Sequence, residues 1–154
     1  MLDLKLDKAV ELVEQAIASK PEGYAYKGPD GICMYVDYDE TYNDSTEEYD
    51  RTDFRPGCLV GTAVILGGIE QDDLLQGTRN QKNCGDLLAD LRYSGLLTYD
   101  QDAARYLELL QLSQDNGATW SEAHKRALKG QRGTRDHNSA DVYWIDTESG
   151  NRVE

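Results

Sequence analysis

The chain has 154 residues, a formal net charge of -13 and a hydrophobic content of 39%. This length suits a single domain with a substantial core. The acidic balance argues against direct binding to nucleic acid or to an anionic membrane, because both require clustered Lys and Arg. It favours a protein partner with a basic surface, or mimicry of nucleic acid toward a DNA-binding protein. No run reaches the roughly 18 apolar residues of a membrane span.

The N-terminal part of the chain predicts one helix followed by a small hairpin. Residues 3–19 have the apolar spacing of an amphipathic helix, which ends before Pro21. Residues 23–26 and 32–36 are rich in Tyr and β-branched side chains, and turn-forming residues lie between them. We therefore expect an antiparallel β-hairpin over this region.

Residues 37–53, the acidic segment, contain eight acidic residues and one Arg, which accounts for -7 of the net charge. This charge density predicts an exposed loop. Its tyrosines are typical of protein interfaces, because Tyr buries a large area at low entropic cost. We predict that the loop binds a partner, and the alternative is that it only confers solubility. The predicted contact residues are Tyr38, Asp39, Glu40, Tyr42, Asp44, Glu47, Glu48 and Tyr49.

The acidic segment also has the oxygen-ligand spacing of a calcium loop. Its candidate ligands are Asp37, Asp39, Asn43 and Glu48. Tyr42, however, stands where the sharp turn of such a loop requires Gly. Acidic segments match this pattern by chance, so the sequence predicts a solvated loop, with calcium as an alternative and no cofactor.

The only sustained apolar run follows the acidic segment and predicts a short buried helix over about residues 57–66. Pro56 suits the first turn of a helix, because its missing N–H needs no partner there. Gly67-Gly68 suits the end of the helix, where a left-handed residue closes the last turn. This helix is the predicted centre of the core.

Three cysteines, Cys33, Cys58 and Cys84, are spaced widely, and the N-terminus lacks a secretory signal. This is typical of free thiols in the cytoplasm, and no paired spacing indicates zinc. Cys58 would begin the buried helix, where the dipole can lower a thiol pKa. Together with His137 and Asp146 it has the chain order of a thiol enzyme acting by acyl transfer. We interpret Cys58 as a core residue, with the thiol enzyme as the alternative.

The C-terminal half predicts three helices, each with a local start signal. Asn83 caps a helix over about residues 84–93. Thr98 and Thr119 each open a capping box, before helices that extend to about residues 114 and 129. His124 lies in the middle of the last helix, where we expect it to be solvated.

Residues 131–154 are polar apart from an aromatic patch at residues 142–145. The patch is either a strand added to the hairpin or part of a tail that orders on contact with a partner. We expect Trp144 to dock the tail onto the domain, or onto a second copy in a homo-oligomer. The prediction is an α+β domain over residues 1–130, mostly helical, with a small hairpin on a buried helix and a C-terminal extension.

Four segments carry a family resemblance: Tyr24-Ala25-Tyr26, Cys33-Met34-Tyr35-Val36, Pro56-Gly57-Cys58-Leu59-Val60-Gly61, and residues 114–123. Together they resemble a group of small, uncharacterised proteins encoded by phages and prophages of actinobacteria, over residues 21–128. The resemblance implies a cytoplasmic protein made during infection or lysogeny, and it implies no activity. With the acidic segment, it favours a non-enzymatic protein that binds a host or phage macromolecule.

Overall fold

The computed structural model describes residues 1–28 and 33–129, and beyond them the backbone of three short strands. The fold is α+β, as predicted. In chain order the elements are β1 (Leu2–Leu4), α1 (Leu6–Ala18), β2 (Val36–Asn43), β3 (Glu48–Pro56), α2 (Leu59–Leu66), α3 (Gln71–Leu75), a 3-10 turn (Arg79–Gln81), α4 (Cys84–Tyr93), β4 (Leu97–Tyr99), α5 (Gln101–Asp115), α6 (Trp120–Leu128), β5 (Arg132–Arg135), β6 (Val142–Ile145) and β7 (Arg152–Val153).

The strands form separate small sheets rather than one large one. β1 pairs in parallel with β4, and β2 pairs antiparallel with β3. β6 lies between β5 and β7, so the predicted aromatic patch is a strand but does not extend the β2–β3 hairpin. Among the described helices, none is long and apolar enough to cross a membrane.

The N-terminal helix begins later in the structure than the sequence predicts. Leu2–Leu4 form β1, and the helix starts at Leu6. Leu4 is only 1% exposed, and its strand pairs with Leu97–Tyr99. The alternation of Leu2 and Leu4 suits a strand, but the partner that stabilises it lies far along the chain.

The hairpin forms in the acidic segment, so the predictions of a loop there and of strands before it are wrong. Residues 23–28 and 33–35 are not in strands, and residues 29–32 lie outside the described residues. β2 and β3 instead pair over the acidic segment, with Tyr42 opposite Tyr49 and Glu40 opposite Arg51. These cross-strand pairs stabilise the ladder although the segment is highly charged. Its predicted exposure is confirmed, since every residue of β3 is exposed.

The buried helix α2 is confirmed, with a later start than predicted. Pro56 ends β3 opposite Val36, and Cys58 is the N-cap of α2. Every residue from Leu59 to Val64 is buried. Gly68, at φ 109, follows the helix as the expected left-handed glycine.

Gln114 fixes the start of α2. Its side-chain oxygen accepts the Leu59 N–H at 2.8 Å and the indole N–H of Trp120 at 3.1 Å. Gln114 is 4% exposed and Trp120 is 1% exposed. One buried amide thus joins α5 to α2 and α6.

The start signals of α4 and α6 are confirmed. The Asn83 side chain accepts the Asp86 N–H, and Thr119 forms the predicted capping box with Glu122. The expected cap at Thr98 is wrong, because that residue belongs to β4. Asp100 caps α5 instead.

His124 is not solvated as expected, since its side chain is only 13% exposed. Its Nδ1 lies 2.7 Å from the Tyr106 hydroxyl, and its Nε2 lies 3.5 Å from a Glu14 carboxylate oxygen. With a neutral ring, the Tyr106 hydroxyl donates to Nδ1 and the Nε2–H faces Glu14. His124 therefore connects α6 to both α5 and α1.

Acidification should weaken the fold through His124. Burial holds its pKa below 6.5, despite the opposing effect of Glu14. The unfolded chain therefore binds a proton more readily, so this contribution is present above pH 6.5 and is lost as pH falls through the lower folded pKa. We expect the melting temperature of wild type to fall more than that of His124→Gln between about pH 8 and about pH 5. Parallel curves for the two proteins would contradict this.

Gly61→Ala should destabilise the protein by about 2 kcal/mol or more, because overpacking a rigid contact costs this much. A Cβ at Gly61 would overlap the backbone of Tyr35, which cannot move without shifting the base of the hairpin. Gly85→Ala is the matched control: its Cβ would meet the end of the Glu108 side chain, which can rotate. The control should be neutral or gain up to about 1 kcal/mol of helix propensity. Urea unfolding measures both, and equal effects would refute the close approach.

Candidate functional site

The β2–β3 hairpin presents a row of aromatic rings on one side, which we call the aromatic face. Side chains of a strand alternate between its two sides. The face contains Tyr38, Glu40, Tyr42, Tyr49, Arg51 and Phe54. Three of its rings are well exposed: Tyr42 at 51%, Tyr49 at 64% and Phe54 at 43%.

The rings of the aromatic face pack against one another across the strands. The centroids of Tyr42 and Tyr49 are 5.3 Å apart, and those of Tyr38 and Phe54 are 5.6 Å apart. The Arg51 guanidinium lies 4.6 Å above the Tyr38 ring and 3.3 Å from a Glu40 carboxylate oxygen. These contacts order the rings without removing them from solvent.

The opposite side of the hairpin, which we call the acidic face, carries Asp37, Asp39, Thr41, Asn43, Glu48, Asp50 and Arg55. Arg55 lies 3.1 Å from Asp39, and the Asn43 amide donates to Asp50 at 3.0 Å. Near the base, the Tyr26 hydroxyl donates to Asp37 at 2.7 Å. Among the described residues, this is the side-chain hydrogen bond that joins the acidic face to the rest of the domain.

The predicted contact residues all lie on this hairpin, but the structure divides them among three places. Four are on the aromatic face, Asp39 and Glu48 are on the acidic face, and Asp44 and Glu47 are in the turn. Glu47 has φ 58, which closes the turn. Arg51 and Phe54 also lie on the aromatic face, although they are not among the predicted contact residues. Phe54 is the only Phe of the chain, and its position just after the acidic segment could have indicated an exposed aromatic contact.

The residues with the calcium-loop spacing do not form a calcium loop in this structure. Asp37 and Asn43 stand near opposite ends of β2, about 20 Å apart at the rise of an extended strand. Cross-strand pairing keeps the segment straight, whereas a calcium loop must wrap around its ion. Within the described part of the chain, no group of three or more acidic, His or Cys side chains could hold a metal ion.

Cys58 is completely buried. Burial, with the neighbouring Cys33 thiol, raises the pKa of Cys58 well above its ordinary value, and this outweighs the effect of the helix N-terminus. The thiolate that a nucleophile requires is therefore disfavoured. The other two residues of the alternative, His137 and Asp146, lie outside the described residues.

A cavity of about 540 Å³ lies beside Cys33, between the start of α4 and α5. Gln111 lines it, donating to the Cys33 sulfur at 3.4 Å and to the Tyr35 hydroxyl at 3.0 Å. Burial raises the pKa of the Glu108 and Asp115 carboxyls at its rim. Cys33 is the half-buried thiol of the three.

Comparison with family models, curated proteins and solved structures finds no match.

Cys33 should be the reactive thiol of the native protein. Cys33 is partly exposed, whereas Cys58 and Cys84 are buried and burial raises their pKa values. We expect Cys33→Ser to abolish labelling by iodoacetamide under native conditions, and the two buried thiols to react only after unfolding. Mass spectrometry of the labelled peptides measures this. Rapid native labelling of Cys58 would revive the thiol-enzyme alternative.

Proposed function

We propose that this protein is a non-enzymatic binding protein whose β2–β3 hairpin engages a protein partner with a basic surface. The observation that carries the proposal is the row of ordered but exposed rings on the aromatic face. Apolar surface left in water on an ordered element marks interaction sites, because burying it there is favourable. Tyr and Arg are also the residues most often found at the energetic centre of interfaces.

Charge supports a basic partner. The acidic segment carries -7 of the net charge, and this charge lies on the same hairpin as the rings. Carboxylates around aromatic anchors would attract a basic surface and speed its association. Mimicry of nucleic acid is less well supported, because the aromatic face carries four rings beside the single carboxylate of Glu40. The predicted resemblance to actinobacterial phage proteins would make the partner a host or phage macromolecule.

Local order also supports binding. The rings are held by cross-strand contacts, and Val36 at the base of the hairpin is completely buried. A hairpin that is already ordered loses little conformational entropy when it binds. The β2–β3 hairpin is therefore suited to bind its partner without changing its own conformation.

Removal of the central rings should abolish capture of the partner. We compare wild type, the double variant Tyr42→Ser/Tyr49→Ser, and Tyr93→Ser, in which a 93% exposed tyrosine on α4 is replaced. Each tagged protein is used to capture partners from an actinobacterial lysate. Proteins retained by wild type and by Tyr93→Ser should be lost with the double variant, and their retention should weaken as salt rises.

The double variant must remain folded for this comparison. Because both rings are exposed, we expect it to lose less than about 1 kcal/mol of stability, the contribution of one cross-strand pair. Thermal unfolding checks this. Equal retention of partners by all three proteins would show that the hairpin is not the binding element.

A further inference from the structure

Building on the proposed function, we propose that the partner binds as a third strand: an extended basic segment that pairs with the outer edge of β2. The outer edge is the side of β2 that faces away from β3. Strand addition of this kind takes its affinity from backbone hydrogen bonds and its specificity from alternating side chains.

The side chain of Asn80 already binds the outer edge at Val36, the first residue of β2. The Val36 N–H donates to the Asn80 side-chain oxygen at 2.8 Å, and the Asn80 amide donates to the Val36 carbonyl at 2.9 Å. Both backbone groups of Val36 therefore point away from β3. The Asn80 amide satisfies them as the peptide group of a neighbouring strand would.

Alternation extends this geometry along β2. Residues of an antiparallel strand direct their backbone groups alternately toward the partner strand and away from it. Since Val36 faces outward, Tyr38, Glu40 and Tyr42 do so as well, whereas Asp39 and Thr41 face β3. Outside the strand ladder, no backbone hydrogen bond among the described residues involves these three outward positions.

The outer edge of β3 is a poorer template. A bulge at Asp53 and Phe54 interrupts it opposite Tyr38, and Asp53 has φ 58. Pro56, at the end of the strand, has no N–H to donate. The bulge bends β3 and leaves its donors out of line, whereas β2 is regular along its outward positions.

The charge of the hairpin favours a basic segment over a second copy of the chain at the outer edge of β2. A second copy of the chain would bring another acidic segment of net charge -7 against the first, and the like charges would oppose pairing. A basic segment would be attracted. Its alternate side chains would lie beside the acidic face and beside the aromatic face, so the favoured pattern alternates Lys or Arg with apolar residues.

The test uses a defined peptide of about ten residues in which Lys alternates with Val and Thr, long enough to cover the outward positions of β2. Hydrogen exchange of single amides is followed by NMR in the full chain. We expect the amides of Tyr38, Glu40 and Tyr42 to slow by about tenfold or more on saturation with peptide. Those of Tyr49 and Arg51, which face outward on β3, should not change.

Two control peptides separate strand addition from simple charge attraction. One has the same composition with all Lys in one block, and the other carries N-methyl groups on alternate amides, which removes the donors facing β2. The N-methylated peptide should bind at least tenfold more weakly than the alternating peptide, the loss expected when a few net hydrogen bonds are missing. The block peptide should also bind more weakly, because its Lys side chains can no longer all lie beside the acidic face. Equal binding of either control would overturn the proposal.

The remaining outcomes are also decisive. Absence of slowed exchange along β2 at saturating peptide, or slowing at Tyr49 and Arg51 instead, overturns strand addition at this edge. Slow exchange of the β2 amides without peptide, together with a dimer in sedimentation, would assign the edge to a second copy. If strand addition fails while capture still requires Tyr42 and Tyr49, the proposed function stands. If capture does not require them, the proposed function fails by itself.

Discussion

The side-chain oxygen of Gln114 is the acceptor on which the arrangement of the core depends. It receives the first N–H of α2 and the indole N–H of Trp120, both in the buried interior. Cys58 provides no side-chain cap, so this bond satisfies an N–H that the helix leaves free. Leaving such a group buried and unpaired costs about 1–3 kcal/mol. Because α2 starts just after β3 ends, the same bond also sets where the hairpin leaves the domain.

The base of the hairpin is correspondingly rigid. Gly57 and Gly61 allow the start of α2 to lie directly against the backbone of Met34 and Tyr35. Asn80 binds both backbone groups of Val36 from the other side. Beyond this base the strands project with most of their side chains in solvent. A fixed base and an exposed, ordered end are the combination that a binding element requires.

Several features followed from residues close together in the chain, and others did not. The Asn83 and Thr119 caps were predictable because a cap acts within one helical turn. Thr98 has the same local pattern as Thr119, yet it lies in β4 and pairs with Asp3 of β1 instead of capping a helix. His124 was misjudged because its partners, Tyr106 and Glu14, come from other helices. The aromatic and acidic faces could not be separated until the register of β2 and β3 was known.

The sequence by itself determined the charge and exposure of the acidic segment, the buried helix after it, and the helices with local caps. These depend on composition and on contacts within about four residues. Only the tertiary structure decided that the acidic segment is a hairpin, that Leu2–Leu4 pair with Leu97–Tyr99, and that Cys58 is buried beside Cys33. A strand is stabilised by its partner strand, and a thiol is made unreactive by the residues that bury it. In both cases the residues responsible come from distant parts of the chain.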